Sequence, residues 1–283
     1  MFTRRSTGIG VTLSILTAVA ILLVLYLASK PSPPPVSVKT RLYQFWSTGD
    51  PVPAGTAYLI VKGGGTPSGN AQLINYEQAF ALNSSEASFA RSKGYLARTC
   101  TGGEIHPDNI PDVTLMDASI PAAVDWRSST IAAQTNGSSY AGTYLDTLRP
   151  VFNPSFYDGT PCKYTDQAWR TGSVDEVNQV RAKTGGKMVI ANGAGMGSGS
   201  AYLKYQSEMD DFLARAKPEG VQIEHFAKSS KNVDKDAAFM KTLASKGAST
   251  FAKCQGTTTL CRSTFDKGVT SSAGTGAKAY STV

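Results

Sequence analysis

From residue 42 onward the chain alternates short, strand-like apolar runs with longer stretches of mixed polarity that carry helical periodicity. The runs at 42–46, 57–61, 94–98, 123–127, 142–146, 188–192, 221–226 and 249–253 predict strands. Helices are predicted at 76–92, 174–184, 201–216 and 234–245, with a Ser/Thr/Ala-rich candidate between the strands at 123–127 and 142–146. In the helix at 174–184, Asp175 and Glu176 come early and Arg181 and Lys183 late, the order that the helix dipole favours, and Gly185-Gly186 stops it. Alternating strands and helices imply a parallel sheet with right-handed crossovers. The stretch 38–283 has the length of one (β/α)8 barrel of the TIM type, an α/β fold. Its tail, 261–283, is rich in Ser, Thr, Gly and Ala and offers no convincing eighth strand and helix, so closure is open at the C-terminal end.

Ahead of that domain the pattern changes. Arg4 and Arg5 precede an uncharged, mostly apolar stretch at 8–29, and a Pro-rich segment, 30–37, follows it. A helix needs roughly 20 residues to cross about 30 Å of hydrocarbon, and its cationic end tends to stay in the cytoplasm. The reading is a short cytoplasmic segment (1–7), a transmembrane signal-anchor helix (8–29), a stiff extended linker (30–37) and an extracytoplasmic domain (38–283) held at the cell membrane. A cleaved signal peptide, giving a secreted protein, is the alternative. Its apolar region should run only about 7–15 residues, and Tyr26-Leu27-Ala28 makes a mediocre cleavage site.

Export permits the four cysteines to pair. Cys254 and Cys261 would close a short loop, leaving Cys100 with Cys162, which is one of three connectivities. No CxxC spacing occurs and His106 and His225 are the two histidines, so a structural zinc site is not expected. The formal charge of +7 is concentrated in the last third of the chain. Solvated surface is the default for scattered lysines, and anionic surface polymers are the neighbours such charge favours. Nucleic acid is a poor partner for an exported domain without a recognised binding module, and no obligate protein partner is inferred.

The candidate chemistry lies where two apolar runs stop on a carboxylate: Gly142-Thr143-Tyr144-Leu145-Asp146 and Val221-Gln222-Ile223-Glu224. Strands buried on both faces read as continuous apolar runs, and barrel enzymes place their chemistry at the C-terminal strand ends. At roughly 30 to 40 residues per βα unit, Asp146 and Glu224 fall on strands two apart, with the strand ending at Asn192 between them. The bland alternative is that each carboxylate caps the helix that follows. The glycine-rich stretches 63–69 and 193–198 lack the lysine of a phosphate loop and the third glycine of a dinucleotide fingerprint, and read as loops. No GxSxG elbow occurs. His225, next to Glu224 on a strand, is expected to face the opposite side.

Asp125-Trp126-Arg127, Tyr144-Leu145-Asp146-Thr147-Leu148, Val189-Ile190-Ala191-Asn192-Gly193 and Ile223-Glu224-His225-Phe226 resemble the D, FLDN, ANG and E-x-F blocks of bacterial glycoside-hydrolase-like barrel proteins. Those are similar in turn to α-galactosidases and endo-α-1,4-polygalactosaminidases. The resemblance implies a nucleophile ending the fourth strand and an acid/base ending the sixth, which fall on Asp146 and Glu224. That count leaves the strand at 57–61 outside the barrel.

A retaining glycosidase attacks the anomeric carbon with one carboxylate while a second protonates the leaving oxygen, the two standing about 5–5.5 Å apart. Asp146 would attack and Glu224 would protonate, with polysaccharide as substrate and no cofactor or metal. Asn192 is placed to bind a sugar hydroxyl, Asp125 to bind another, and Trp46 to stack on a ring face. The structural alternatives are core packing for Trp46 and a helix N-cap for Asp125. A glycan-binding barrel without turnover is the functional alternative.

Overall fold

The computed structural model describes residues 41–62, 67, 69–108, 112–195, 197–270 and 279–281. The anchor helix expected at 8–29 and the linker at 30–37 lie outside them. Among the described residues no helix is long and apolar enough to cross a membrane.

In chain order the elements are β1 (Arg41–Trp46), β2 (Thr56–Val61), β3 (Gln72–Gln78), β4 (Ala81–Leu82), α1 (Ser84–Lys93), β5 (Thr114–Leu115) and α2 (Pro121–Asn136). There follow β6 (Gly142–Asp146), α3 (Asp166–Lys183), β7 (Met188–Asn192), α4 (Gly199–Lys204), α5 (Gln206–Ala216) and β8 (Gly220–Phe226). The last are α6 (Val233–Ser245), β9 (Ser249–Cys254), α7 (Thr258–Thr270) and β10 (Ala279–Ser281). Seven strands run β1, β2, β3, β6, β7, β8, β9 around a parallel barrel, and the three-residue β10 pairs with both β9 and β1 to close it. The fold is TIM-like.

Alternation along the strands makes two cores. Tyr43, Tyr58, Ile60, Ile74, Tyr144, Ile190 and Phe251 fill the barrel. The residues between them, such as Leu145, Val189, Ala191, Val221 and Ile223, pack beneath the helices. Both faces are therefore buried, which is why these strands read as apolar runs.

The structure corrects several sequence expectations. The stretch 57–61 is the core of β2 and belongs to the barrel, between β1 and β3. The stretch 94–98 makes only single antiparallel bridges, Leu96 to Met116 and Arg98 to Glu104, in the long crossover after β3. Residues 123–127 lie inside α2, which Pro121 starts; proline is pre-organised there and loses no needed donor. Tyr76 is on β3, and the helix begins only at Ser84, where Asn83 accepts from the Ser85 and Glu86 amides and Glu86 accepts from the Asn83 amide. The barrel's third strand is thus β3, so Asp146 ends the fourth and Glu224 sits on the sixth without omitting β2. The tail supplies α7 and β10.

Both expected disulfides are present. Cys100–Cys162 ties the crossover after β3 to the loop after β6, and Cys254–Cys261 ties the end of β9 to the first turn of α7.

Beneath the helices Arg127 of α2 is 1% exposed and donates to the Gln78 and Ala79 carbonyls and to Glu86. Glu176 of α3 is fully buried nearby, and neither of its carboxylate oxygens has a hydrogen-bond partner. Burial pushes its pKa up to about 8, against the pull of Arg127 and Lys183. Between the ordinary value of 4.5 and about 8 the unfolded chain releases a proton that the folded chain keeps, so this group costs stability as pH rises. Glu176→Gln should therefore gain in melting temperature over the wild type as pH is raised from about 5 to 8. Thermal denaturation at several pH values checks this, and a gap that stays constant or narrows would count against it.

Candidate functional site

The inward positions just above the barrel's core converge on one mouth. On β6, Tyr144 faces the barrel core and Leu145 the helices, so Asp146 again faces inward. By the same step Ile190 is followed by Asn192 on β7, and Phe251 by Lys253 on β9. On β8, Gln222 accepts a hydrogen bond from the Tyr144 hydroxyl across the barrel, and Glu224 is the next inward position. The pairing of β8 with β9 shifts register between Ile223 and Phe226. Such irregularities re-aim side chains. Here His225 lines the same cavity as Glu224 instead of facing away, and its Nδ1 lies 3.0 Å from Gln255 Oε1.

Asp146 receives three donors. Asn192 Nδ2 lies 2.8 Å from its Oδ1, the Thr147 amide donates to the same oxygen at 2.8 Å, and the Tyr76 hydroxyl donates to Oδ2. Thr147 achieves this with a left-handed φ of 56°, a strained conformation for a β-branched residue that sits beside the site. Burial, and then the Asp146 charge, push the Tyr76 hydroxyl far above its ordinary pKa, so it remains a donor. Gln78 holds it in turn, with Nε2 2.8 Å from the hydroxyl oxygen.

Glu224 is placed differently. Lys253 Nζ lies 3.1 Å from its Oε1, and Asn192 Nδ2 lies 3.4 Å from its Oε2. Burial pushes the Glu224 carboxyl up, but the Lys253 ammonium, the Asn192 amide and His225 together hold it below the usual carboxylate value. One amide nitrogen thus touches both acids. The two oxygens it touches are no farther apart than the sum of 2.8 and 3.4 Å, about 6 Å.

Asp146, Asn192 and Glu224, with Thr147, Arg149, Phe156 and His225, line a cavity of about 70 Å³. Two glycines of the loop after β7 complete it; at Gly193, φ is 94° and a Cβ would fall 2.4 Å from the Leu148 carbonyl oxygen, so only glycine fits. The buried Asp236 of α6 accepts from the Gly199 and Ala227 amides, fixing the chain that leaves β8. Among the described residues no group of three or more His, Cys, Asp or Glu could hold a metal ion.

Two expected site residues are elsewhere. Trp46 faces outward from β1, packs with Leu59 and Val61, and donates from Nε1 to the Asp50 carbonyl at 2.9 Å. It is a core residue because Tyr43 and Phe45 take the inward positions of that strand; Phe45 is the aromatic near the mouth, with Lys253 Nζ 5.7 Å from its ring centre. Asp125 lies on the exposed face of α2, 68% exposed, paired with Lys183 at 2.8 Å. It contacts no site residue and caps no helix, since Ile120 holds the N-cap position. Tyr76, Gln78, Arg149 and Lys253 belong to the site and were not expected there. Lys253 carried a legible signal, as it ends an apolar run in the manner of Asp146 and Glu224.

No family model and no curated protein matches the chain. Solved structures similar to it include the glycoside hydrolase domain of a PelA variant from Pseudomonas aeruginosa, at 14% identity over 78% of this chain and 96% of that one, with a TM-score of 0.41. A glucosidase II alpha subunit is 10% identical over 75% of this chain and 24% of its own, with a TM-score of 0.47. A GH31 alpha-xylosidase from a soil metagenome is 12% identical over 74% of this chain and 41% of its own, with a TM-score of 0.41. The chain therefore spans nearly all of the first and less than half of the other two. These likenesses assign no role to any residue here; they are to glycoside hydrolases, the group that the four sequence blocks resemble.

Proposed function

We propose that the barrel is a glycoside hydrolase that cleaves polysaccharide with two carboxylates and retention of configuration. The observation that carries this reading is the pair Asp146 and Glu224, on strands two apart at the C-terminal mouth, bridged by the one amide of Asn192. The bridged oxygens are at most about 6 Å apart, which leaves room for the close, retaining arrangement near 5–5.5 Å. Asp146, held by three donors, attacks the anomeric carbon as Glu224 gives its proton to the leaving oxygen. The resulting glycosyl ester is then opened by water, whose proton returns to Glu224. Asn192 orients both acids.

Attachment of the domain outside the cell membrane through residues 8–29 belongs to the same reading, and the two disulfides suit an exported domain.

A second reading, a glycan-binding barrel without turnover, is favoured by one observation. Lys253 keeps Glu224 ionised, whereas a general acid must hold a proton.

Two variants and one assay of the native protein test these readings. Glu224→Gln should lose about 100- to 10,000-fold in rate on glycosides with poor leaving groups while still forming the intermediate from activated ones, and azide should rescue it to a glycosyl azide of retained configuration. Asp146→Asn should abolish turnover of every substrate. Wild-type rates in both variants would remove both residues from catalysis, and saturable glycan binding with no turnover by the native protein would favour the binder.

A pH profile tests the part played by Lys253. Glu224 faces Lys253, His225 and, through Asn192, Asp146. Taking away the ammonium leaves burial to push the Glu224 carboxyl up. Lys253→Met should therefore move the basic limb of kcat/KM to higher pH; a limb that stays in place would deny Glu224 the acid's role.

Cell fractionation tests the anchor. Full-length protein with its own amino terminus should partition with membranes, and recovery of a soluble form beginning near Ser29 would show signal cleavage instead.

A further inference from the structure

We propose that the mouth of the barrel takes an acidic sugar, one bearing a carboxylate or a sulfate, with Arg149 as the anion contact and Lys253 exchanging Glu224 for the bound acid group. This rests on the glycan reading above and narrows it to a substrate class.

Arg149 carries the first part. Its guanidinium carbon lies 3.9 Å from the centre of the Phe156 ring and 5.9 Å from that of Tyr157, and its backbone carbonyl accepts from Trp169 Nε1 at 2.8 Å. The planar group is thus stacked on an aromatic ring, and the backbone that carries it is anchored. It lines the cavity that holds Asp146, Asn192 and Glu224 and also an adjoining one of about 50 Å³ beside Phe156 and Tyr157, and its Nη1 is buried without any hydrogen-bond partner. A buried guanidinium N–H without an acceptor is costly, and a fixed fork of donors matches the oxygens of a carboxylate or sulfate.

Lys253 carries the second. Its ammonium stands between Glu224 and the face of Phe45, and it is 37% exposed, so a group entering from solvent can reach it. A neutral sugar gives the ammonium no reason to leave Glu224, and a glycosidase with that ion pair intact lacks its acid. An anionic substituent offers a competing partner and frees Glu224 to take up a proton. Lys62 adds charge of the same sign across the mouth, with Nζ 5.0 Å from the centre of the Tyr76 ring. Set against the carboxylates Asp146 and Glu224, the cations Arg149, Lys253 and Lys62 leave a positive balance at the mouth, which favours anionic ligands.

The test titrates full-length protein in detergent, by calorimetry, with oligosaccharides of equal length in three forms: neutral hexose, hexuronate and sulfated hexose. At least one acidic form should bind ten-fold or more tighter than the neutral one, with an advantage that decays as salt is raised. Arg149→Gln and Lys253→Met should each cut acidic binding by about 10- to 100-fold and so narrow the advantage of the acidic over the neutral form. Lys241→Gln, on the exposed side of α6, should keep wild-type affinities. The uronate and sulfate arms identify the acid group, and the salt titration of the native protein decides the matter even if the Arg149 variant fails to fold. Neutral oligosaccharides bound as tightly as both acidic forms would overturn the acidic-sugar assignment and leave the two-carboxylate reading standing. Failure of every saccharide to bind or turn over would overturn both.

Discussion

The guanidinium of Arg127 ties the helical layer to the strand that shapes the site. It binds the carbonyls of Gln78 and Ala79 at the end of β3, pairs with Glu86 at 2.6 Å and stands 3.5 Å from Glu77. The Ala79 amide in turn donates to the Asp146 carbonyl at 2.7 Å, so one buried cation fixes β3 and, through it, the end of β6. Taking such charges out of water is expensive, and removing one partner from a buried set costs about 3–5 kcal/mol because the others are left uncompensated. Glu77 feels both sides of this balance, as burial pushes its carboxyl up while Arg127 pulls it down. The arrangement is a poor way to gain stability and a good way to hold Tyr76 and Gln78 in one position against Asp146.

Barrel geometry does the rest. Side chains inside such a barrel form layers drawn from alternate strands. Tyr144 of the fourth strand meets Gln222 of the sixth, and Asp146 and Glu224 lie one inward step above them. Below, Tyr43, Phe45, Tyr76 and Tyr144 pack edge-on or stacked, with ring centres 5.3–6.4 Å apart, making a stiff floor. The acids therefore meet because their strands alternate at the same level, and no loop has to bring them together.

That logic explains what the sequence reveals. Asp146, Asn192 and Glu224 were legible because each ends an apolar run in a strand buried on both faces. β3 was not, since Asn75 and Glu77 on its outer face are polar: Asn75 binds Thr135 at 3.1 Å, and Glu77 faces Arg127. Its inner face ends on Tyr76 and Gln78, which serve the site. A strand polar on both faces loses its period, and tertiary partners absent from the local sequence make up the difference. The stretch at 123–127 misled for the opposite reason. Val124, Trp126 and their neighbours suit either element, and the proline at 121 was the signal that decided for a helix. Trp46 shows how a one-residue change of face separates a stacking platform from a core residue.

Two carboxylates this close repel each other, and the protein relieves them unequally. Asp146 is surrounded by fixed dipoles from Tyr76, Thr147 and Asn192, which belong to the barrel and do not leave when a ligand arrives. Glu224 depends mainly on Lys253, a long side chain at the solvent edge. Any ligand that draws the ammonium away destabilises the Glu224 charge and so favours protonation there. Environments that drive two acids apart in this way separate an acid from a nucleophile. On the proposed reading the division of labour is therefore set by what is rigid and what is mobile around the two carboxylates, with Asn192, which touches both, keeping them in register as the charge shifts.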